Sequence, residues 1–121
     1  MKYLCGPVSF CLYDVNKKLL LVSRDRIGEK QMYYAQLQTG VVFGSNLKDV
    51  LKHVKHPQLR VHELAQPIRH NYPIDLQHTW IEQIKRLRAG EYAVVDADGL
   101  RLHTYWKRNH MPTFTGTKEQ A

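Results

Sequence analysis

A charged segment, Arg24–Gln31, separates two apolar runs and restricts the folds that are open to this chain. The run before it, Leu19–Val22, is apolar without interruption, and a second run, Val41–Phe43, comes soon after it. A continuous apolar run of this length is typical of a strand that is covered on both faces. The sequence therefore predicts a buried sheet whose strands are joined by a charged loop around a single glycine.

Apolar and alternating patterns, bounded by turn residues, predict six strands. They are Val8–Asp14, Lys18–Ser23, Met32–Gln36, Val41–Phe43, Glu91–Asp96 and Leu100–Tyr105. The first two are expected to be antiparallel because the short turn Asp14–Lys17 joins them. Asp98-Gly99 is a hairpin signal between the last two.

Helical spacing of apolar residues predicts two short helices. Leu47–Val54 is expected to be amphipathic, with Ser45 or Asn46 as its N-cap. Val61–Gln66 is the second, and it ends before a proline. The pattern of Thr79–Leu87 also fits a helix, but an extended conformation remains open from the residues alone.

The order of these elements predicts an α+β fold with mostly antiparallel sheets and short helices. Strands grouped before helices argue against alternating βαβ units. A length of 121 residues suits one domain. Residues after Trp106, Lys107–Ala121, show no pattern and are expected to be a tail or linker.

Charge and composition exclude several classes of protein. The 18 Lys and Arg exceed the 11 Asp and Glu, for a formal charge of +7, but the basic residues are scattered, so no nucleic-acid partner is predicted. No apolar stretch is long enough to span a bilayer, and no membrane partner is expected. The start resembles no signal peptide, and the two cysteines are expected to be reduced thiols of a cytoplasmic protein.

Cys5-Gly6 is the first candidate for a nucleophile. An N-terminal cysteine nucleophile needs its thiol on residue one, so that its own α-amine can act as the base. Met1 and Lys2 precede Cys5 here, so a structural role for Cys5 is favoured and no catalytic residue is predicted.

The sequence gives equally little support for a metal site or a phosphate site. His53 and His56 lie three residues apart near the end of a predicted helix, but no carboxylate lies beside them to complete a metal site. Gly28 stands alone, and Ala89-Gly90 does not form a phosphate-binding loop. The sequence therefore predicts no metal ligand and no cofactor.

The triplet Arg24-Asp25-Arg26 leaves two interpretations open. It could be an exposed ion-pair cluster of little energetic value. Alternatively, Asp25 accepts backbone N–H bonds in a structured loop while both arginines reach outward. In either case Tyr33 and Tyr34 are expected to face opposite sides of a strand.

Five segments together resemble one family, in order and at similar spacing. These are Leu4–Asp14, Arg24–Tyr34, Phe43–Lys48, Thr79–Tyr92 and Tyr105-Trp106. They are similar to the glutamine-hydrolysing asparagine synthetases, whose pattern Arg-Asp-Arg-x-Gly-x-Lys-x-x-Tyr-Tyr matches the second segment. The resemblance implies that residues 1–106 form part of a type 2 glutamine amidotransferase domain, with a partial Ntn-hydrolase αββα sandwich, and that Thr79–Leu87 is extended.

The same resemblance implies that the parent enzyme releases ammonia from glutamine and uses it for amide transfer in asparagine biosynthesis, a ligase-like reaction. The family's cysteine nucleophile and ATP site lie outside the matched region, so no catalytic residue is carried over. The chain is expected to be a fragment or split piece that is inactive alone. Its expected partners are a complementary glutaminase half, a synthetase domain or a second copy. The alternative is a non-catalytic module that associates through exposed sheet.

Departures from the family pattern occur within the match. Glu29 and Gln31 replace the usual Ile and Pro, Asn46 replaces an acidic residue, and Arg88 replaces Pro. The loss of Pro at position 31 is expected to leave the loop less stiff.

Overall fold

A computed structural model describes residues 6–61 and 77–108. Seven strands and one short helix have complete bounds in these ranges. They are β1 (Phe10–Asp14), β2 (Leu19–Ser23), β3 (Tyr33–Leu37), β4 (Gly40–Gly44), α1 (Leu47–Leu51), β5 (Ile84–Arg86), β6 (Glu91–Asp96) and β7 (Gly99–Thr104).

The strands form two sheets, and every pairing is antiparallel. One sheet has four strands in the order β1-β2-β6-β7, and the other has three in the order β4-β3-β5. The turn between β1 and β2 forms as predicted, because the Asp14 Oδ1 atom accepts the N–H groups of Asn16 and Lys17, each at 3.0 Å. Three of the five strand pairings join strands that are consecutive in the sequence. The other two, β2 with β6 and β3 with β5, join strands that are far apart in the sequence.

A first apolar cluster lies between the two sheets. Val22 and Ala93 from the four-stranded sheet contact Met32 and Leu87, which flank strands of the other sheet. All four are nearly or fully buried, and Phe43 packs against them. Burial of these side chains, at roughly 25 cal/mol per Å² of apolar area, holds the sheets face to face.

A second apolar cluster lies between the three-stranded sheet and α1. Ala35 and Ile84 on the strands meet Val50 of the helix and Ile81. Tyr33 also packs against this cluster, whereas Tyr34 is buried on the other face beside Phe43, with ring centroids 5.9 Å apart. The two tyrosines therefore face opposite sides of β3, as predicted, and the layers follow the order sheet, sheet, helix.

The α+β class and the predominance of antiparallel strands are confirmed. Glu91–Asp96 forms a strand with the predicted bounds, and the other five strands agree to within about two residues. The helix starts as predicted, with the Asn46 side chain accepting the Lys48 N–H at 2.9 Å, but it ends at Leu51. Residues 52–54 continue only as tightened turns.

The helical interpretation of Thr79–Leu87 is wrong, and the extended one is confirmed. Ile84–Arg86 forms β5 beside β3, and Ile81 makes a bridge to Leu59. The second predicted helix, Val61–Gln66, lies outside the described residues apart from Val61. Within the described ranges, no helix has the length and hydropathy needed to cross a bilayer.

Among the described residues, the outer face of the four-stranded sheet carries an uncovered apolar row, which ends at Arg101. Leu12 lies opposite Leu21, and Leu21 lies opposite Val94. Cross-strand partners share a face, and the inward face carries the buried Val22 and its neighbours, so these three residues point away from the core. Leu12 is 60% exposed, and no described residue covers this face as α1 covers the other sheet.

Candidate functional site

Among the described residues, side-chain hydrogen bonds are most concentrated in the segment Arg24–Gln31, hereafter the Asp25 loop. The Asp25 Oδ1 atom accepts the N–H groups of Ile27, Gly28 and Glu29 at 3.1, 2.6 and 3.0 Å, and Oδ2 accepts that of Lys30 at 3.0 Å. Burial opposes ionisation of this carboxyl group, but the four donors outweigh burial and hold its pKa below the ordinary value. Of the two interpretations of Arg24-Asp25-Arg26, the structured loop is therefore correct in its account of Asp25.

Arg24, however, points inward, which corrects the expectation that both arginines reach outward. It is 7% exposed. Its guanidinium group donates to the carbonyl oxygens of Lys30 at 2.7 Å, Leu87 at 2.6 Å and Gly28, and to the Gln31 side chain at 3.1 Å. Because the N–H groups of the loop bond Asp25, several of its carbonyl groups need another donor, and Arg24 supplies it. Burial lowers the pKa of Arg24, and the nearby Asp25 opposes that effect.

Gly28 is required by this packing. Its φ is +75°, a region that side chains other than glycine rarely adopt. A Cβ at this position would lie 3.0 Å from both the Arg24 Nη2 atom and the Ala89 Cβ. The single glycine thus lets the loop turn tightly around the Arg24 guanidinium group.

The Asp25 loop is tied to the four-stranded sheet and to the residues that flank its strands β6 and β7. The Gly90 N–H bonds the Asp25 carbonyl at 2.9 Å, and the Arg24 N–H bonds the Glu91 carbonyl at 3.1 Å. The Tyr105 hydroxyl donates to the Arg24 carbonyl at 2.7 Å. Burial raises the pKa of Tyr105, and the charge of Asp25 adds to that effect. Two distant segments, at Gly90-Glu91 and at Tyr105, therefore fix the position of this loop.

Three recesses surround the Asp25 loop, and the exposed side chain of Ile27 lines all of them. One, of about 170 Å³, lies beside Phe10, Ser23 and Tyr105. Another, of about 330 Å³, lies beside Gln31. The largest, about 500 Å³, is hereafter the basic recess. It is lined by Arg26, Arg88, Lys107 and Arg108, together with Glu91 and Trp106.

The cysteines offer no activated thiol among the described residues. Cys5 lies outside the described ranges. Cys11 is a free thiol on β1, and burial raises its pKa. A raised pKa keeps the thiol protonated near neutral pH, which is the opposite of what a nucleophile needs.

The two histidines follow α1 rather than lying on it. His53 and His56 line a recess of about 340 Å³ with the β3–β4 turn, and the Gln83 side chain donates to the His56 carbonyl at 3.0 Å. In residues 6–61 and 77–108, no three His, Cys, Asp or Glu side chains gather in a way that could hold a metal ion.

The two glycine positions considered for phosphate binding already use their N–H groups. That of Gly28 bonds the Asp25 carboxylate, and that of Gly90 bonds the Asp25 carbonyl. Neither N–H is free to bind a phosphate oxygen. Both residues instead serve to position the Asp25 loop.

Two departures from the family pattern have structural roles. The Gln31 side-chain oxygen accepts a bond from Arg24, and the Arg88 N–H donates to the Glu91 Oε2 atom at 2.9 Å, a bond that proline could not make. Sequence reasoning missed the inward Arg24 and the basic recess. Pairs of basic residues 62 or more positions apart, such as Arg26 and Arg88, carry no local signal of their proximity.

Comparison with known proteins agrees with the resemblance seen in the sequence. Residues 1–106 match the glutamine amidotransferase domain family. The chain is 25% identical over 122 residues to asparagine synthetase (glutamine-hydrolysing) 3 of Bacillus subtilis, covering 95% of the chain and 19% of that protein. It is similar to asparagine synthetase 2 of the same organism at 25% identity over 121 residues, covering 94% of the chain and 16% of that protein.

A third relative has a different name. Amidase chry2 of Gibberella zeae is 26% identical over 115 residues, which cover 94% of the chain and 16% of the amidase. The chain thus spans less than a fifth of the length of each of these three relatives.

Proposed function

Because the chain belongs to the glutamine amidotransferase domain family, we propose that it supplies the C-terminal half of a glutaminase domain of asparagine synthetase type. In this proposal the chain is a fragment or one piece of a split enzyme. It takes part in glutamine-dependent amide transfer only when a complementary part of the domain is present, and alone it does not release ammonia from glutamine.

The observation that carries this proposal is the open apolar face of the four-stranded sheet. Leu12, Leu21 and Val94 line up across three strands on that face. The opposite sheet is covered by α1, whose Val50 is fully buried. An exposed apolar sheet face of this kind favours a covering layer. A helical layer here would complete the αββα arrangement that the resemblance implies.

The proposed occupant of this face is the rest of a glutaminase domain. The matched relatives are more than five times the length of the aligned region. Proteins of this kind therefore contain enough additional residues to form the layer that would cover this face. Strand β1 supports the same view, since among the described residues it is paired on one edge only and its Tyr13 is 57% exposed.

The distribution of thiols also supports a need for a partner. Burial raises the pKa of the Cys11 thiol, which disfavours the thiolate form that a nucleophile needs. In this proposal the complementary part brings the nucleophile and the glutamine-binding groups. The described residues bring the two-sheet scaffold and the Asp25 loop.

A complementation assay tests the proposal. The purified chain is mixed with the N-terminal half of a glutaminase domain from one of the Bacillus subtilis relatives, and ammonia release from glutamine is measured. We expect release from the mixture and none from either part alone. Release by the chain alone, or no gain on mixing, would contradict the proposal.

Matched variants make the assay specific for the open face. Leu12→Asp places a charge in the proposed interface and should abolish the gain. Asn16→Asp adds the same charge in the exposed β1–β2 turn and should leave the gain unchanged. Equal loss in both variants would argue against this face as the interface. Light scattering on the chain alone separates the alternative of self-association, which would give dimers without any partner.

A further inference from the structure

We propose that the basic recess binds the oligophosphate group of a small molecule. This site is distinct from the proposed glutaminase interface, and it does not depend on that proposal. Four cationic side chains, Arg26, Arg88, Lys107 and Arg108, line a volume of about 500 Å³. Four positive charges in one recess attract anions, and they repel one another when no anion is bound.

The one acidic residue in the lining does not neutralise it. Glu91 is only 9% exposed, and its Oε2 atom accepts the Arg88 N–H at 2.9 Å. Its carboxylate is therefore directed to the backbone. With four cations and one carboxylate, the lining carries a formal charge of +3.

The walls of the recess are held in place before any ligand binds. The Gly90 carbonyl accepts the N–H groups of Tyr105 at 2.8 Å and Trp106 at 3.2 Å. This fixes the segment that carries Lys107 and Arg108 beside the turn that carries Arg88. On the other wall, the bonds to Asp25 fix the loop that carries Arg26. A preformed site avoids much of the cost of ordering side chains and backbone on binding.

The cations are available to a ligand. The Arg88 Nη2 atom donates to the Gln77 side chain at 2.7 Å, which orients its guanidinium group and leaves other N–H groups unused. Among the described residues, no carboxylate lies within ion-pair distance of Arg26, Lys107 or Arg108. Their charges are thus not neutralised within the described part of the chain.

An oligophosphate suits this recess better than a single carboxylate. A linear triphosphate carries three to four negative charges near neutral pH, close to the formal charge of the lining. Guanidinium groups bind phosphate oxygens in pairs, and three arginines are present. Trp106, which is 37% exposed at the rim, offers an aromatic face on which a nucleotide base could stack.

Calorimetric titration of the full chain with tripolyphosphate, and separately with ATP, tests the proposal at an ionic strength of about 0.1 M, where non-specific attraction is screened beyond about 10 Å. We expect saturable binding with one site per chain. The double variant Lys107→Gln/Arg108→Gln should weaken it about tenfold or more, equivalent to at least one charge-assisted contact. Both side chains are exposed, so the fold should persist.

Arg26→Gln, on the opposite wall, provides a second and independent variant with the same expected weakening. The control is Lys17→Gln/Lys55→Gln, which removes the same charge as the first double variant but from exposed positions outside the recess. The control should bind as the unmodified chain does. Equal weakening in the control, or no saturable binding of either probe at millimolar concentration, would overturn the proposal.

The two probes distinguish the sources of the phosphate. Equal affinity for tripolyphosphate and ATP would show that only the phosphate groups are recognised. Tighter binding of ATP that is lost on Trp106→Ala would show that the base stacks on Trp106. Both results support the oligophosphate site.

Discussion

The Nη1 atom of Arg24 donates a 2.6 Å hydrogen bond to the carbonyl oxygen of Leu87, a residue 63 positions later in the chain. Leu87 is itself fully buried between the sheets and donates its N–H to the Met32 carbonyl at 2.8 Å. The contact therefore ties the Asp25 loop directly to the central apolar cluster. The loop is therefore anchored in the core of the fold and is not a loosely attached surface segment.

Replacement of Arg24 should destabilise the fold strongly. Arg24→Met leaves the buried carbonyl oxygen of Leu87 and the partly buried ones of Lys30 and Gly28 without their donor, and an unpaired buried polar group costs roughly 1–3 kcal/mol. We expect a loss of about 3 kcal/mol or more in the free energy of unfolding, measured by urea denaturation. Arg24→Lys should recover little of it, because an ammonium group cannot reach the same acceptors in fixed directions.

Arg26→Met is the matched control for that change. Arg26 is the neighbouring arginine but is only half-buried and makes no hydrogen bond to another described residue. Its replacement should change the free energy of unfolding by less than about 1 kcal/mol. Equal losses at both positions would show that charge, not the inward contacts of Arg24, is what matters.

Asp25 should make the free energy of unfolding depend on pH in the acidic range. Its folded pKa is lowered by four N–H donors that outweigh burial, so its ionised form is stabilised by folding. The contribution is fully present above the pKa of an unfolded aspartate, about 3.9, and is lost as the pH falls through the lower folded value.

The measurement is the free energy of unfolding between about pH 7 and pH 2 for the unmodified chain and for Asp25→Asn. At pH 7 the variant should be less stable by about 2–3 kcal/mol, since bonds to a charged acceptor are replaced by weaker ones. The difference between the two proteins should shrink as the pH falls below about 4. A constant difference across this range would mean that the Asp25 carboxylate is not the source.

Local signals in the sequence were sufficient for the hairpins and for the cap of α1. Asp98-Gly99 turns β6 into β7, and Asn46 caps the helix, because each structure depends on residues within a few positions. The conformation of Thr79–Leu87 was not decided locally. Ile81, Ile84 and Leu87 are spaced as on a helix, yet they are buried in an extended segment because pairing with β3, about 50 positions earlier, outweighs the local preference.

The interior of the candidate site was predicted only in part. An Asp followed three positions later by Gly indicates a turn closed by a carboxylate, and Asp25 does accept those N–H groups. The direction of Arg24 depends on carbonyl groups that include the distant Leu87, so nothing near Arg24 in the sequence reveals it. The basic recess was missed for the same reason, because it combines Arg26 with basic residues that lie 62 or more positions later.

Gly90 should be far less tolerant of a side chain than Gly99, which also has a positive φ. Its φ is +71°, and a Cβ there would overlap the carbonyl group of Trp106. Gly90→Ala therefore combines backbone strain with a clash against the main chain. We expect a loss of about 2–4 kcal/mol in the free energy of unfolding, measured by thermal or urea denaturation.

Gly99→Ala is the control for Gly90. Its φ is +108°, but nothing lies within 4 Å of the added Cβ. The only cost is therefore the backbone strain of holding alanine at a positive φ. The expected loss is about 1–2 kcal/mol. If the two variants were equally stable, the close approach of Gly90 to Trp106 would have no energetic weight.

The open sheet face should control the association of the isolated chain. Leu12 is 60% exposed at the β1 end of the apolar row that continues through Leu21 to Val94, whereas Val15 is 73% exposed in the adjoining turn. Leu12→Lys places a charge within the row and should lower the apparent mass measured by light scattering, because a contact that buries the row would then bury an unpaired charge. Val15→Lys adds the same charge to a more exposed residue outside the row and should leave the mass unchanged. If both variants lower the mass equally, net charge controls association; if neither does, the row is not the contact between copies.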